Sequence, residues 1–211
     1  MTKLVLEKAD AIIERAKKLV KTALETKDVV SVSKLAAALM LMSGIRAGFL
    51  LTGKIVVKPG PTSYSIVFKP APGAKNWDAR PILCESTVFI QGATLMKSLQ
   101  KDTFTTTEAD AIYKKGIAAQ IRKMVSFEGG ARDATTGDVR WVFVALCCKK
   151  HNYSQTGLTK QEFANWISVS GKHNALMPTR EIALKGNVST FPEKTRTPLP
   201  ERYQRRVARR L

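Results

Sequence analysis

Acidic residues, histidine, cysteine and long apolar runs are all scarce in this sequence, and each shortage narrows what the chain can do. There are two histidines, His151 and His173, and three cysteines, Cys84, Cys147 and Cys148. An odd cysteine count with one adjacent pair is no disulfide framework and points to a reducing compartment. Cys147, Cys148 and His151 lie close together, but structural zinc sites space their cysteines further apart, so no metal is expected. Cys148 and His151 lack a neighbouring acid to orient the base, which argues against a thiol nucleophile. Neither G-x-x-x-x-G-K-[ST] nor G-x-G-x-x-G occurs, so Glu128-Gly-Gly-Ala-Arg-Asp133 is no phosphate loop of those kinds. The longest apolar runs, Leu35–Met42 and Trp141–Cys148, are eight residues each, far short of a membrane span. Lys3, Glu7, Lys8 and Asp10 interrupt any leader pattern. The expectation is a soluble, cytoplasmic protein (or a virion component, if viral) with no cofactor and no membrane contact. Nothing in the sequence demands an enzyme.

Base is what the chain has in excess. Lys and Arg number 35 against 17 Asp and Glu, a net charge of +18 over 211 residues, with a pI near 10.1. Residues 1–70 hold 12 bases and 5 acids (+7), 71–140 hold 10 and 8 (+2), and 141–211 hold 13 and 4 (+9). Such a balance speaks of partners rather than fold, and nucleic acid leads. Apolar residues make up 44%, enough for a packed core.

The fold class expected is α+β, predominantly α-helical with one β-hairpin and a basic C-terminal arm. Residues 1–30 read as an amphipathic helix, able to serve as an arm. Val5, Leu6, Ala9, Ile12, Ile13, Ala16, Leu19, Val20, Ala23 and Leu24 share one of its faces. Residues 31–189 read as an α-rich core. Ser31 or Ser33 caps a buried helix through Leu35–Met42. Residues 54–69 form the hairpin, 70–81 a loop, and Ile82–Ile90 a strand, with a short helix over Gly92–Leu99. Thr107 caps a helix running to Val125, with Glu108 and Asp110 as helix-start charges and Ile112, Tyr113, Ile117 and Met124 inward. Ser126–Gly137 is a loop, and Trp141–Cys148 a buried helix continuing into Lys149 and Lys150. Thr159-Lys-Gln-Glu162 is a capping box, and Pro178–Leu184 a short helix.

Three prolines, Pro192, Pro198 and Pro200, make 190–200 an extended strap that stands clear of the core. Arginines crowd the tail that follows. The expected nucleic-acid contacts are Lys114, Lys115, Arg122 and Lys123 on one helix, then Lys149, Lys150 and Tyr153, and Arg202, Arg205, Arg206, Arg209 and Arg210 in the tail. Lysines neutralising phosphates beside an aromatic ring suit a single strand. No base-reading motif is present, so binding is expected to be driven by the backbone and indifferent to sequence.

An α-rich core, a hairpin, a basic groove and terminal arms together resemble the nucleocapsid and coat proteins of RNA viruses. The resemblance is one of architecture and composition, without a residue-level motif. It implies a non-enzymatic protein that self-assembles around single-stranded RNA. A ribosomal or other ribonucleoprotein component is the alternative, and an enzyme acting on nucleic acid a third reading.

Overall fold

The computed structural model describes residues 4–26, 31–52, 56–69, 78–99, 105–152, 162, 166, 182–186, 188–192, 195 and 197–209. Strand β1 (Leu4–Leu6) leads into α1 (Ala9–Thr26), α2 (Val32–Ser43) and α3 (Ala47–Leu51). Strands β2 (Val56–Pro59), β3 (Ser65–Lys69) and β4 (Asp78–Pro81) follow. Then come α4 (Ser86–Ser98), α5 (Thr106–Met124), a 3-10 turn (Glu128–Gly130), α6 (Val139–Lys150), β5 (Ile182–Leu184) and α7 (Glu201–Ala208). The protein is α+β and mostly helical, as its composition and periodicity imply.

Helix α2 is the centre. From Leu35 to Ser43 every residue is buried, because an apolar helix with no polar face has to be covered on all sides. Ser31 caps it by accepting the Lys34 amide, and Gly44 ends it at φ +67°. Helices α1, α4, α5, α3 and α6 pack around it. Gly92 of α4 lets that helix close on α1 and α2, since a Cβ there would meet Val20 at 2.8 Å and Leu39 at 3.2 Å. Helix α1 buries the apolar stripe expected of it, with Ile12, Ile13, Ala16 and Val20 all at most 2% exposed. It belongs to the core.

Several local expectations need correction. The stretch before α1 is not helical. Lys8 has φ +48°, and Leu4–Leu6 instead pairs in parallel with β5, in the register Leu4–Ile182, Val5–Ala183, Leu6–Leu184. That pairing takes Ile182–Leu184 away from the helix expected there. The hairpin is present, but Asp78–Pro81 adds a third antiparallel strand where a loop was expected. Ile82–Ile90 is no strand. Ile82, Leu83 and Cys84 are buried in an irregular link, and α4 starts at Ser86. Helix α5 is capped by Thr105 rather than Thr107, with a reciprocal capping box to Glu108. Its inward residues are Ala109, Ile117, Ile121 and Met124, whereas Ile112 is 56% exposed. The capping box at Thr159–Glu162 lies mostly outside the described residues.

The proline strap does not stand clear. Phe191 packs against the Tyr64 ring at 4.0 Å between centroids and edge-on to His151 at 5.0 Å. Thr195 and Thr197 are buried, and the Thr62 hydroxyl donates to the Thr195 carbonyl at 3.1 Å. A segment short of amide donors lies on a surface with few unmet hydrogen bonds. The arginine-rich run after it starts as the helix α7.

Candidate phosphate-binding cleft

Two arginines face one cleft of about 320 Å3, lined by Met40, Arg46, Ala47, Lys114, Ile117, Thr136, Gly137 and Arg140. Each is placed by a local device. Arg46 sits in the link between α2 and α3, as the N-cap of α3. The link turns at Gly44, and only a glycine fits there. Its φ is left-handed, and a Cβ would fall 2.5 Å from Cδ1 of Phe143. The close approach of Gly44 to Phe143 brings the end of α2 against α6, the helix that carries Arg140.

Arg140 occupies the first turn of α6, just after a turn built on Asp138. The Asp138 carboxylate is fully buried. It accepts from both terminal nitrogens of Arg132 at 2.8 and 2.6 Å, and from the Thr135 amide at 2.9 Å and hydroxyl at 2.7 Å. A bidentate, charge-assisted pair of this kind is geometrically specific. It fixes the backbone from which Arg140 emerges.

The electrostatics of the cleft follow from this placement. Burial pushes the Arg140 guanidinium down to about 10, and the neighbouring positive charge of Arg46 pushes the same way. Arg140 stays protonated at neutral pH. Like charges held together in a half-buried cleft repel, and an anion bound between them relieves the repulsion. Arginine forks suit the paired oxygens of phosphate. Lys114 supplies a third positive charge from α5.

The residues singled out from sequence are dispersed. Lys114 is exposed and reaches this cleft. Lys115, Arg122 and Lys123 are exposed along α5, and Arg122 lies 3.7 Å from Asp133. Lys149 is exposed at the end of α6. Lys150 is buried and cannot serve as an open phosphate contact. Its ammonium lies 3.0 Å from Asp10, donates to Ser189 at 3.0 Å, and sits 5.0 Å from the Phe191 ring centroid. Tyr153 and Arg210 lie outside the described residues, as do the side chains of Arg202 and Arg206. Arg205 is exposed and pairs with Glu201 one turn back, and Arg209 is exposed just past α7. Sequence reasoning missed Arg46 and Arg140. The signal it could have used is an isolated arginine set between buried apolar stretches, Ser43-Gly-Ile-Arg46 before α3 and Val139-Arg-Trp-Val142 within α6.

Among the described residues, no group of three or more His, Cys, Asp or Glu side chains could hold a metal ion. No described helix is long and apolar enough to cross a membrane. Burial pushes the Cys84 thiol up to about 12, helped by the nearby Glu85 charge, and burial also raises Cys147. Both are poor nucleophiles.

The chain is similar in fold to part of the solved protelomerase structures. It aligns over 99% of its length with a variant of protelomerase TelA covalently complexed with substrate DNA, at a TM-score of 0.63 and 13% identity. The selenomethionine form of that complex gives 0.62 and 15%. Protelomerase TelK complexed with substrate DNA gives 0.61 and 14%, over 90% of this chain. The chain spans 64% of the TelA structures and 40% of the TelK structure, less than two thirds of each. No protein-family model matches the sequence, and no curated protein matches it.

These neighbours overturn the resemblance to RNA-virus nucleocapsid and coat proteins. The TelA and TelK structures similar to this chain are complexes with substrate DNA. The expectation of a non-enzymatic protein falls with that resemblance, since the TelA structures are covalent complexes with their substrate DNA. Net charge reports an affinity for phosphate and says nothing of the polymer or of assembly.

Proposed function

We infer that this chain is a DNA-processing domain whose Arg46–Arg140 cleft takes one backbone phosphodiester of DNA. The observation that carries the reading is the convergence of Arg46, Arg140 and Lys114 on one cleft, within a fold similar to that of part of the protelomerase structures. Two arginine forks on one phosphate hold its non-bridging oxygens. The same forks stabilise the charge that gathers on those oxygens when the phosphorus is attacked, the usual role of positive clamps on a reacting phosphoryl group. Burial of Arg140 strengthens the effect, because a charge in a less polar setting acts more strongly on its partner. Base contacts carry specificity in such complexes and phosphate contacts set position. The cleft therefore fixes where along a strand the chemistry falls.

The test is binding of a labelled DNA duplex by fluorescence anisotropy, with Arg46→Ala and Arg140→Ala beside the unchanged chain. Each substitution is expected to weaken binding by about tenfold or more, the loss of a charge-assisted contact to phosphate. Unchanged binding by both variants contradicts the proposal.

A further inference from the structure

A second depression of about 500 Å3 is lined by Arg15, Lys18, Leu19, Thr22, Thr26, Lys34 and Gln120. We propose that this groove is a second contact site for the DNA backbone, taking phosphates a few nucleotides from the one held by Arg46 and Arg140. The inference rests on the function proposed above and extends it to how the duplex lies across the protein.

Three observations support it. First, the walls carry three cations, Arg15, Lys18 and Lys34, and no carboxylate. All three are exposed. Arg15 and Lys18 are three residues apart on α1, and like charges at that spacing disfavour a helix. Such an arrangement is relieved by a polyanion. Second, Thr22 and Gln120 add neutral polar groups to the lining, of the kind that contact phosphate or sugar in a sequence-independent way.

Third, the groove and the cleft share two helices. Helix α5 gives Lys114 to the cleft and Gln120 to the groove, while α2 gives Met40 to the cleft and Lys34 to the groove. The helices touch between them, where Gly116 would place a Cβ 2.5 Å from the Ser33 hydroxyl. Six residues of α5 correspond to about 9 Å of axis and, at about 100° each, to faces about 120° apart around it. A backbone that reaches from the cleft to the groove therefore runs around α5 as well as along it.

The experiment compares the unchanged chain with the triple variant Arg15→Gln, Lys18→Gln, Lys34→Gln on the same duplex, over a range of salt. If three phosphate contacts are lost, the slope of log K against log salt becomes shallower by about 2.7. The advantage of the unchanged chain then shrinks by about 40-fold between about 50 and 200 mM salt. The pair Lys8→Gln, Lys97→Gln, exposed elsewhere, should leave the slope as it was. A matching thermal midpoint confirms that the triple variant is folded.

Arg46→Ala and Arg140→Ala, run in parallel, separate the two readings. If they bind as the unchanged chain does, the function proposed above fails. If they bind weakly while the triple variant keeps the full slope, the groove alone is overturned. The same holds if the control pair loses as much per residue, since only bulk charge then matters. Loss of binding to anionic lipid vesicles with DNA binding intact would also overturn it.

Discussion

Replacing Asp138 tests whether the turn before Arg140 is held as described. Asp138→Asn keeps the shape of the side chain but removes its charge and turns an amide donor toward groups that already donate. Four hydrogen bonds converge on this carboxylate, and bonds to a charged group contribute about 1.5–3 kcal/mol each. The sum overstates the loss. Burying the carboxylate costs several kcal/mol in the unchanged protein, and Arg132, 36% exposed, regains water when released. A net destabilisation of about 2–4 kcal/mol follows. With a urea m-value of about 2 kcal/mol/M, the midpoint falls by about 1–2 M. Urea unfolding followed by tryptophan fluorescence measures it. DNA affinity should drop as well, at urea-free conditions where the variant is still folded, because Arg140 loses its fixed backbone. Arg132→Gln should cost at least as much, about 3 kcal/mol, since it leaves the fully buried Asp138 carboxylate without its counter-charge. A shift below about 0.5 M with unchanged DNA affinity would refute the reasoning.

The other predictions concern the supports around the cleft. Gly44→Ala combines a left-handed φ with a Cβ 2.5 Å from Phe143, and should destabilise by about 2–4 kcal/mol in the same assay. Phe191→Ala removes the ring that ties the strap to Tyr64, His151 and Lys150. It should cost about 2–4 kcal/mol by urea unfolding, and a loss under 1 kcal/mol would mean that the strap adds nothing to its own core. Burial alone would raise the Asp10 carboxyl, but the Ser189 amide and the Lys150 charge outweigh it and hold the group below its ordinary 3.8. Because the folded value is depressed, the stabilisation is fully present above the unfolded value and disappears as pH falls through the folded one. Asp10→Asn should therefore lower stability at pH 6 and narrow its gap to the unchanged chain as pH falls below the ordinary carboxylate value of 3.8.

Much of the helical framework was legible in the sequence because its signals are local. The apolar stripe of α1, the all-apolar α2 and the run at Trp141–Cys148 each dictate burial on their own. The N-cap of α5 was misplaced by two residues because Thr105, Thr106 and Thr107 are equally good caps. What selects Thr105 is Glu108 at the third position after it, which completes the reciprocal box. Ile82–Ile90 misled because a short apolar run fits strand and buried helix alike. The pairing of Leu4–Leu6 with Ile182–Leu184 links opposite ends of the chain, and no local pattern announces it. The cleft was hidden for the same reason. Arg46 and Arg140 are 94 positions apart, and each looks like an interruption of an apolar stretch until Gly44 and Asp138 are seen to bring them together. The lysine clusters were easier to notice. Of those, Lys114 reaches the cleft, and Lys150 is engaged by Asp10 inside the fold.

The most direct test of the central claim is a crystal structure of this chain with a short DNA duplex. The account predicts a backbone phosphate in the cleft between α2, α5 and α6, within hydrogen-bond reach of the guanidinium groups of both Arg46 and Arg140. A duplex bound firmly elsewhere, with the cleft holding only water and the two arginines turned away from the DNA, would contradict it.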